Sequence, residues 1–536
     1  MPRARPSLAA LLLLVGCNGV IEDPTAPPSW MADAPGANGL PFQLEPRGPS
    51  LQPGIRGLTP SELSRTVEDR FGVVPDVSGL AVPGQEYFLG NDAARLAVRG
   101  GLAVHARLQL ATEVASAAPL DGSFPCAAAM CSAAELRAGF ERALSTRLSD
   151  EALRRYVVLF DRARTSLGAE GARRAMIQAA LMSAELHYRT EIGDRTGRLT
   201  PTELAQKLSY FLWGRPPDDA LLAAAFDGSL RQPRAYEAQV DRLRADPRAG
   251  ARVVELVFDW LGLDGFDLET RAGADELPEG TGAAMVEEVR RLVTRELVTE
   301  RRGLRSLLTT RTTFADERVA SLYGLDVVGS GWREVSLEGT DRRGLLTTPL
   351  VLAAHAKESG RSPMQRGHFL VAELMCTGFG PDFGEVTAQL PADPGERTFR
   401  EQFATLLDVH PCANCHRTLN AGFALDLFDN VGRRHPESEV PASEAAGMFH
   451  AEPYDPVHFG STEDAVEAFA GHPLLTRCFV AQAYRYAQGS RSSALDRSTL
   501  EGLEQAFEED ATDVLALFRR IALSERFLAA VAEGQG

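Results

Sequence analysis

One short string in this chain has the residue types and spacing for cofactor chemistry: Cys412-Ala413-Asn414-Cys415-His416. With 7 cysteines and 10 histidines in 536 residues, chance supplies roughly 0.002 copies of Cys-x-x-Cys-His. The motif therefore calls for a chemical explanation. Two thiols three positions apart can each add to a haem vinyl group, and the adjacent imidazole can then ligate the iron from the same side. The leading reading is one covalent haem c, with Cys412 and Cys415 as attachment points and His416 as an iron ligand. Three other readings stay open. A zinc site needs further Cys or His ligands in a closed tetrahedral set, and no second Cys-x-x-Cys exists. A thioredoxin-like dithiol needs a βαβ context, which the surrounding pattern lacks. A simple disulfide is the third.

A low-spin haem needs a second axial ligand. Met448, 32 residues beyond His416, and His355, upstream in LAAHAKESG, are the two leading candidates. A Met ligand would raise the reduction potential relative to a second His. His435, His450, His458 and His472 are also in range of the motif. An iron left open at the sixth position would instead support peroxidase- or oxygenase-type chemistry.

The other cysteines suggest an environment. The chain opens MPRARPSLAALLLLVGCNGV, with Arg3 and Arg5 before a short apolar stretch and then Cys17. The stretch is too short to span a bilayer and reads as an export signal. Leu14-Val15-Gly16-Cys17 resembles the lipobox of bacterial lipoproteins, in which the cysteine is lipidated. An ordinary signal peptide with an incidental cysteine is the alternative. The expectation is a cell-envelope lipoprotein, held at the membrane by acyl chains. Asn18, rather than Asp, after the cysteine favours the outer membrane. In such an oxidising place Cys126 and Cys131, five apart, read as a local disulfide, with two free thiols as the alternative. Cys376 and Cys478 remain and are candidates to pair with each other.

Most of the segments that must position these residues read as helices. LTPSELSRTVEDRFG (58–72) and LTPTELAQKLSYFLWG (199–214) share one grammar: Thr as N-cap, Pro at the first helical position, Glu two residues on. Further helices fit 133–167 (two, broken near 146–150), 176–188, 236–261 (interrupted at Asp246-Pro247), 284–298, 365–376, 398–408, 463–488 and 499–532. Short strands are expected near 332–337 and 348–353. The fold class is mainly α, with little β. Residues 18–57, rich in Pro and Gly, read as a flexible tether reaching tens of Å from the membrane. The expected division is signal peptide 1–17, tether 18–57, helical domains 58–125, 126–195 and 196–340, a cytochrome c-like segment 341–440, and a C-terminal helical domain 441–536.

Several blocks resemble the large secreted proteins of planctomycetes and myxobacteria that combine domains of unknown function with a cytochrome-like segment. CANCHRTLNAGFALDLFDNVGRR (412–434) is similar to their Cys-x-x-Cys-His segment, with Asn420-Ala421 where the family usually has Asp-Pro. RRGLLTTPLVLAAHAKESGRSPMQRGHFLVAELMC (342–376), LTPTELAQKLSYFLWGRPPDDALLAAAFDGSL (199–230), LTPSELSRTVEDRFG, CSAAELRAGFERALSTRLSDEALRRY (131–156) and LLTRCFVAQAYRYAQGS (474–490) resemble the family's other blocks. The resemblance implies a haem-bearing envelope protein with no settled role. It also implies a partner, either a redox protein or a neighbouring secreted protein.

Composition closes off other classes. Acidic residues exceed basic ones, 73 to 56, for a net charge of −17. This argues against a nucleic-acid partner, which needs a basic footprint. Nucleotide-binding, serine-hydrolase and zinc-protease signatures are missing from the sequence. Asp218-Asp219 reads as the cap of a helix ending near Ala225 rather than as an acid–base pair, and Tyr210, Phe211 and Trp213 read as core.

Overall fold

A computed structural model describes residues 54–78, 80, 100–124, 126, 131–326, 330–377, 399–404, 418–489 and 497–531. Among these residues helices dominate. The strands form three two-stranded antiparallel sheets, so the chain is mainly α, as expected. None of the described helices is long and apolar enough to cross a membrane.

The helix boundaries follow from local chemistry. Thr59 and Thr200 each accept the backbone N–H of the glutamate three residues on, and Glu62 and Glu203 return a carboxylate to the N-cap N–H at 3.1 and 2.9 Å. Both capping boxes satisfy donors that the first turn leaves orphaned. Gly72 and Gly214 stop these helices in the left-handed region, at φ +69° and +61°. The same residues then tie elements together. Glu62 pairs with buried Arg252 at 2.7 Å, and Thr66 Oγ1 shares a 2.8 Å hydrogen bond with Tyr210 OH. Asp218 is the N-cap of the helix Asp219–Phe226, accepting from Leu221 N–H.

The first helices share a core that includes Phe71, Phe124, Phe140, Met176 and Leu181. Ile55–Gly57, assigned to the tether by composition, is a strand paired with Tyr188–Thr190. A three-residue strand leaves no compositional trace. The helix expected over 176–188 is instead the end of Asp150–Leu181, a long segment whose backbone departs from helical angles at Gly168. It is followed by the short turn Ala184–His187.

In the central part, Tyr210, Phe211 and Trp213 are buried. Trp213 Nε1 donates to the Leu243 carbonyl at 2.9 Å, and the Phe211 ring lies 4.8 Å from that of Phe518. The C-terminal helices thus pack back onto the centre, where Tyr236 OH also donates to the Ala522 carbonyl at 2.8 Å. Buried Lys207 joins Glu191 and Gln488, each at 3.0 Å.

One expected strand is wrong. Residues 348–353 form part of the helix Pro349–Ala354, with Pro at its first position. A short apolar run buried all round has no period that separates strand from helix. The other expected strand is present as Arg333–Ser336, paired with Thr312–Ala315.

Candidate functional site

Cys412, Cys415 and His416 lie outside the described residues, as does Cys17. From Thr418 the chain is described again, together with the elements against which this stretch packs.

The helical turn Asn420–Leu425 lies against the helix Pro363–His368 with almost no space between backbones. A Cβ at Gly367 would stand 2.1 Å from the Leu419 carbonyl oxygen, and one at Gly422 would stand 1.8 Å from that of Pro363. Only glycine fits at both places. Arg366, 1% exposed, holds the next loop. Its guanidinium donates to the carbonyls of Leu425 (2.8 Å), Phe428 (2.6 Å), Leu352 (3.0 Å) and Asp429 (2.7 Å). Burial lowers its pKa to about 10, which leaves it cationic at neutral pH. Beside it, Asp426 accepts from Arg361 Nε at 2.7 Å and from Ser362 N–H at 3.0 Å. Desolvation raises the Asp426 pKa against the pull of these arginines.

Met448 sits in the strand Gly447–Phe449, opposite His458 on Val457–Phe459. This hairpin approaches the same turn: a Cβ at Gly447 would lie 3.4 Å from the Asn420 carbonyl oxygen. Thr462 Oγ1 adds a 2.7 Å bond to the Ala424 carbonyl. His355 ends the helix Pro349–Ala354. Its ring stacks on Phe369 at 3.8 Å, and Nε2 donates to the Leu261 carbonyl at 2.9 Å. Desolvation lowers its pKa to about 3, so the ring is neutral. The strand that carries Met448 thus borders the 418–422 stretch, whereas His355 is engaged by Phe369 and Leu261.

The other histidines divide by what they touch. His472 Nδ1 accepts the Leu474 N–H at 3.2 Å as a helix cap. His450 is exposed near Glu452. His435 Nε2 is buried with no hydrogen-bond partner.

Sequence reasoning missed His368 and Glu373. His368 follows Gly367, whose backbone lies against that of Leu419. Its Nδ1 lies 3.8 Å from Glu373 Oε1. Glu373 lies in a π-helical turn, Phe369–Leu374, a form frequent at functional sites. Burial raises its carboxyl pKa to about 8, and Oε1 has no hydrogen-bond partner. No sequence signal marks either residue, since their interest comes from what the fold sets beside them.

Cys376 is joined to Cys478 across 102 residues, and Cys126 to Cys131 across 5. The longer bridge closes a loop of chain that contains the motif. Among the described residues, no group of three His, Cys, Asp or Glu side chains is placed to hold a metal ion.

Two family models match parts of the chain. Residues 199–325 match PSD4, a protein of unknown function (DUF1592), and residues 342–438 match PSCyt3, a protein of unknown function (DUF1588). No curated protein and no solved structure matches. The chain is therefore a multi-domain protein that includes two domains of unknown function. The second match encloses the Cys-x-x-Cys-His motif.

Proposed function

We propose that this chain is an exported, lipid-anchored c-type haem protein that transfers electrons to or from a redox partner in the cell envelope. The observation that carries the reading is Cys412-x-x-Cys415-His416 within the 342–438 match, a family whose label points to cytochrome-like domains. The donor chemistry around the described residues fits such a group. A thioether (Met448) and an imidazole (His368) stand on elements that pack about the turn after the motif, and the His355 imidazole stacks on Phe369, next in the chain to His368. Two disulfides in a chain with an export-type N-terminus agree with an oxidising compartment.

In this reading Cys412 and Cys415 hold the haem and His416 ligates its iron, with Met448 or His355 as the second ligand. When bound, the haem supplies one-electron exchange. The Arg366 carbonyl cluster and the Gly367–Gly422 contact fix the polypeptide that leaves the motif. Cys17, lipidated, holds the protein at the membrane, with outer-membrane attachment favoured by Asn18.

The test is expression with a cytochrome c maturation system, followed by a pyridine haemochrome spectrum. Covalent haem is expected in the wild type and none in Cys412→Ser/Cys415→Ser. A wild type without covalent haem overturns the reading.

A second reading, a haem-dependent peroxidase or oxygenase with an open iron, draws on the engagement of His355 Nε2 by Leu261, which ties up one candidate ligand atom. A Soret band shifted by cyanide or carbon monoxide would favour it. A band unmoved by both would favour electron transfer. A non-enzymatic envelope scaffold is what remains if the motif carries no haem.

A further inference from the structure

Glu288 projects from the helix Thr281–Val293 into a fully buried position. Its Oε1 accepts from Thr313 Oγ1 at 2.7 Å and from Tyr323 OH, while Oε2 has no hydrogen-bond partner. The face of the Tyr323 ring carries a second buried group. The Arg342 guanidinium lies over the Tyr323 ring, 4.6 Å from its centroid, and is 3% exposed. No carboxylate among the described residues forms an ion pair with it. Its donors go instead to three neutral carbonyls: Thr347 (2.8 Å), Leu322 (3.0 Å) and Gly432 (2.6 Å). Leu322 belongs to the 199–325 segment, and Gly432 to the loop that leaves the motif. Arg342 therefore fastens that loop to the central part of the molecule, and a single tyrosine separates it from a buried acid.

We propose that Glu288, Tyr323 and Arg342 form a pH-responsive latch on loop 427–435: the neutral acid leaves Arg342 on the Gly432 carbonyl, and the ionised acid draws Arg342 away and loosens the loop. A buried carboxylate is costly unless paired, and Arg342 is the cation that faces this one. The other groups facing Glu288 are Tyr323, Thr313 and Asp316, the last adding negative charge. The helix Pro349–Ala354, also packed on Thr281–Val293, brings no titratable side chain. On Pro247–Trp260, Arg252 pairs with Glu62, Glu255 with Arg65, Arg248 with Asp246, and Asp259 bonds Asp264. In the turn Thr294–Thr299, Arg295 and Glu296 pair with each other. Desolvation lifts the Glu288 pKa to about 7, which puts the transition in an accessible range. The latch does not depend on haem.

The experiment is hydrogen exchange by mass spectrometry on the full chain, corrected for intrinsic rates, from about pH 6 to about pH 8. In the wild type, exchange of 427–435 is expected to accelerate at least about threefold as Glu288 ionises. In Glu288→Gln, which stays neutral, it should remain at the low-pH level. Thr313→Val removes a donor to the carboxylate and should move the transition to higher pH, a check that stands even if Glu288→Gln folds poorly. Unchanged protection of 427–435 in the wild type, or an acceleration that persists in Glu288→Gln, overturns the proposal. So does a Thr313→Val transition that does not move upward.

Discussion

Burial alone holds the Glu373 carboxyl protonated at neutral pH, with its pKa near 8. The folded pKa lies above the unfolded one, so this group's share of stability is fully present below about pH 4.5 and is lost as pH rises through about 8. Glu373→Gln should therefore match the wild type near pH 4 and exceed it above pH 8, by on the order of 2–4 kcal/mol. Urea denaturation at the two pH values checks this; an equal difference at both would mean that the carboxyl is not buried in its neutral form. Two histidines act in the opposite direction. Desolvation lowers His187 to about 4 and His355 to about 3, while Nε2 of each donates to a carbonyl, that of Leu181 or Leu261. Their folded pKa values lie below the unfolded value near 6.5, so stability is lost as pH falls from there toward 3–4. His187→Gln should flatten part of this acid limb in a plot of Tm against pH. The sequence marked His355 only as a candidate ligand and did not mark Glu373 or His187, because desolvation is a property of neighbours distant along the chain.

At the scale of elements, the contact between Pro363–His368 and Asn420–Leu425 has no room for a side chain. Gly367→Ala should cost about 1–3 kcal/mol through forced backbone separation. It should also displace the chain leaving the motif, and under the proposed haem reading the amount of covalent haem per protein measures that effect. Thr200→Ala is milder: removing one cap should cost about 1 kcal/mol and leave haem content unchanged. Helix starts were the most legible elements, because Thr-Pro-x-Glu satisfies orphaned amides within four residues. The strand expected at 348–353 failed for the converse reason. Leu350, Val351 and Leu352 are all buried, so their pattern has no polar side to reveal a period. His368 and Glu373 became notable only once the fold showed Gly367 against Leu419 and the Glu373 carboxyl buried beside His368.

For the whole molecule, the Cys376–Cys478 bridge closes a loop of about 100 residues. Replacing both cysteines by alanine should lower stability by about 2–4 kcal/mol, chiefly by freeing the unfolded chain. Comparing the denaturation midpoints of the two oxidised proteins checks it, and reductant should lower the wild-type midpoint further than that of the variant, which keeps the Cys126–Cys131 bridge. If Cys17 carries the proposed anchor, Cys17→Ser should release the protein from the membrane fraction, since no helix among the described residues is long and apolar enough to cross a membrane.

The sequence by itself determined the features whose physics is local. These are the capped helices, the mainly helical class they add up to and the Cys-x-x-Cys-His spacing, each read from short runs of consecutive residues. Tertiary structure decided which distant groups share an environment: Arg366 with four carbonyls, Gly367 with Gly422, and Glu288 with Tyr323 and Arg342. Charge, desolvation and close packing act through space, and partners separated by tens of residues in the chain leave no mark on one another's sequence.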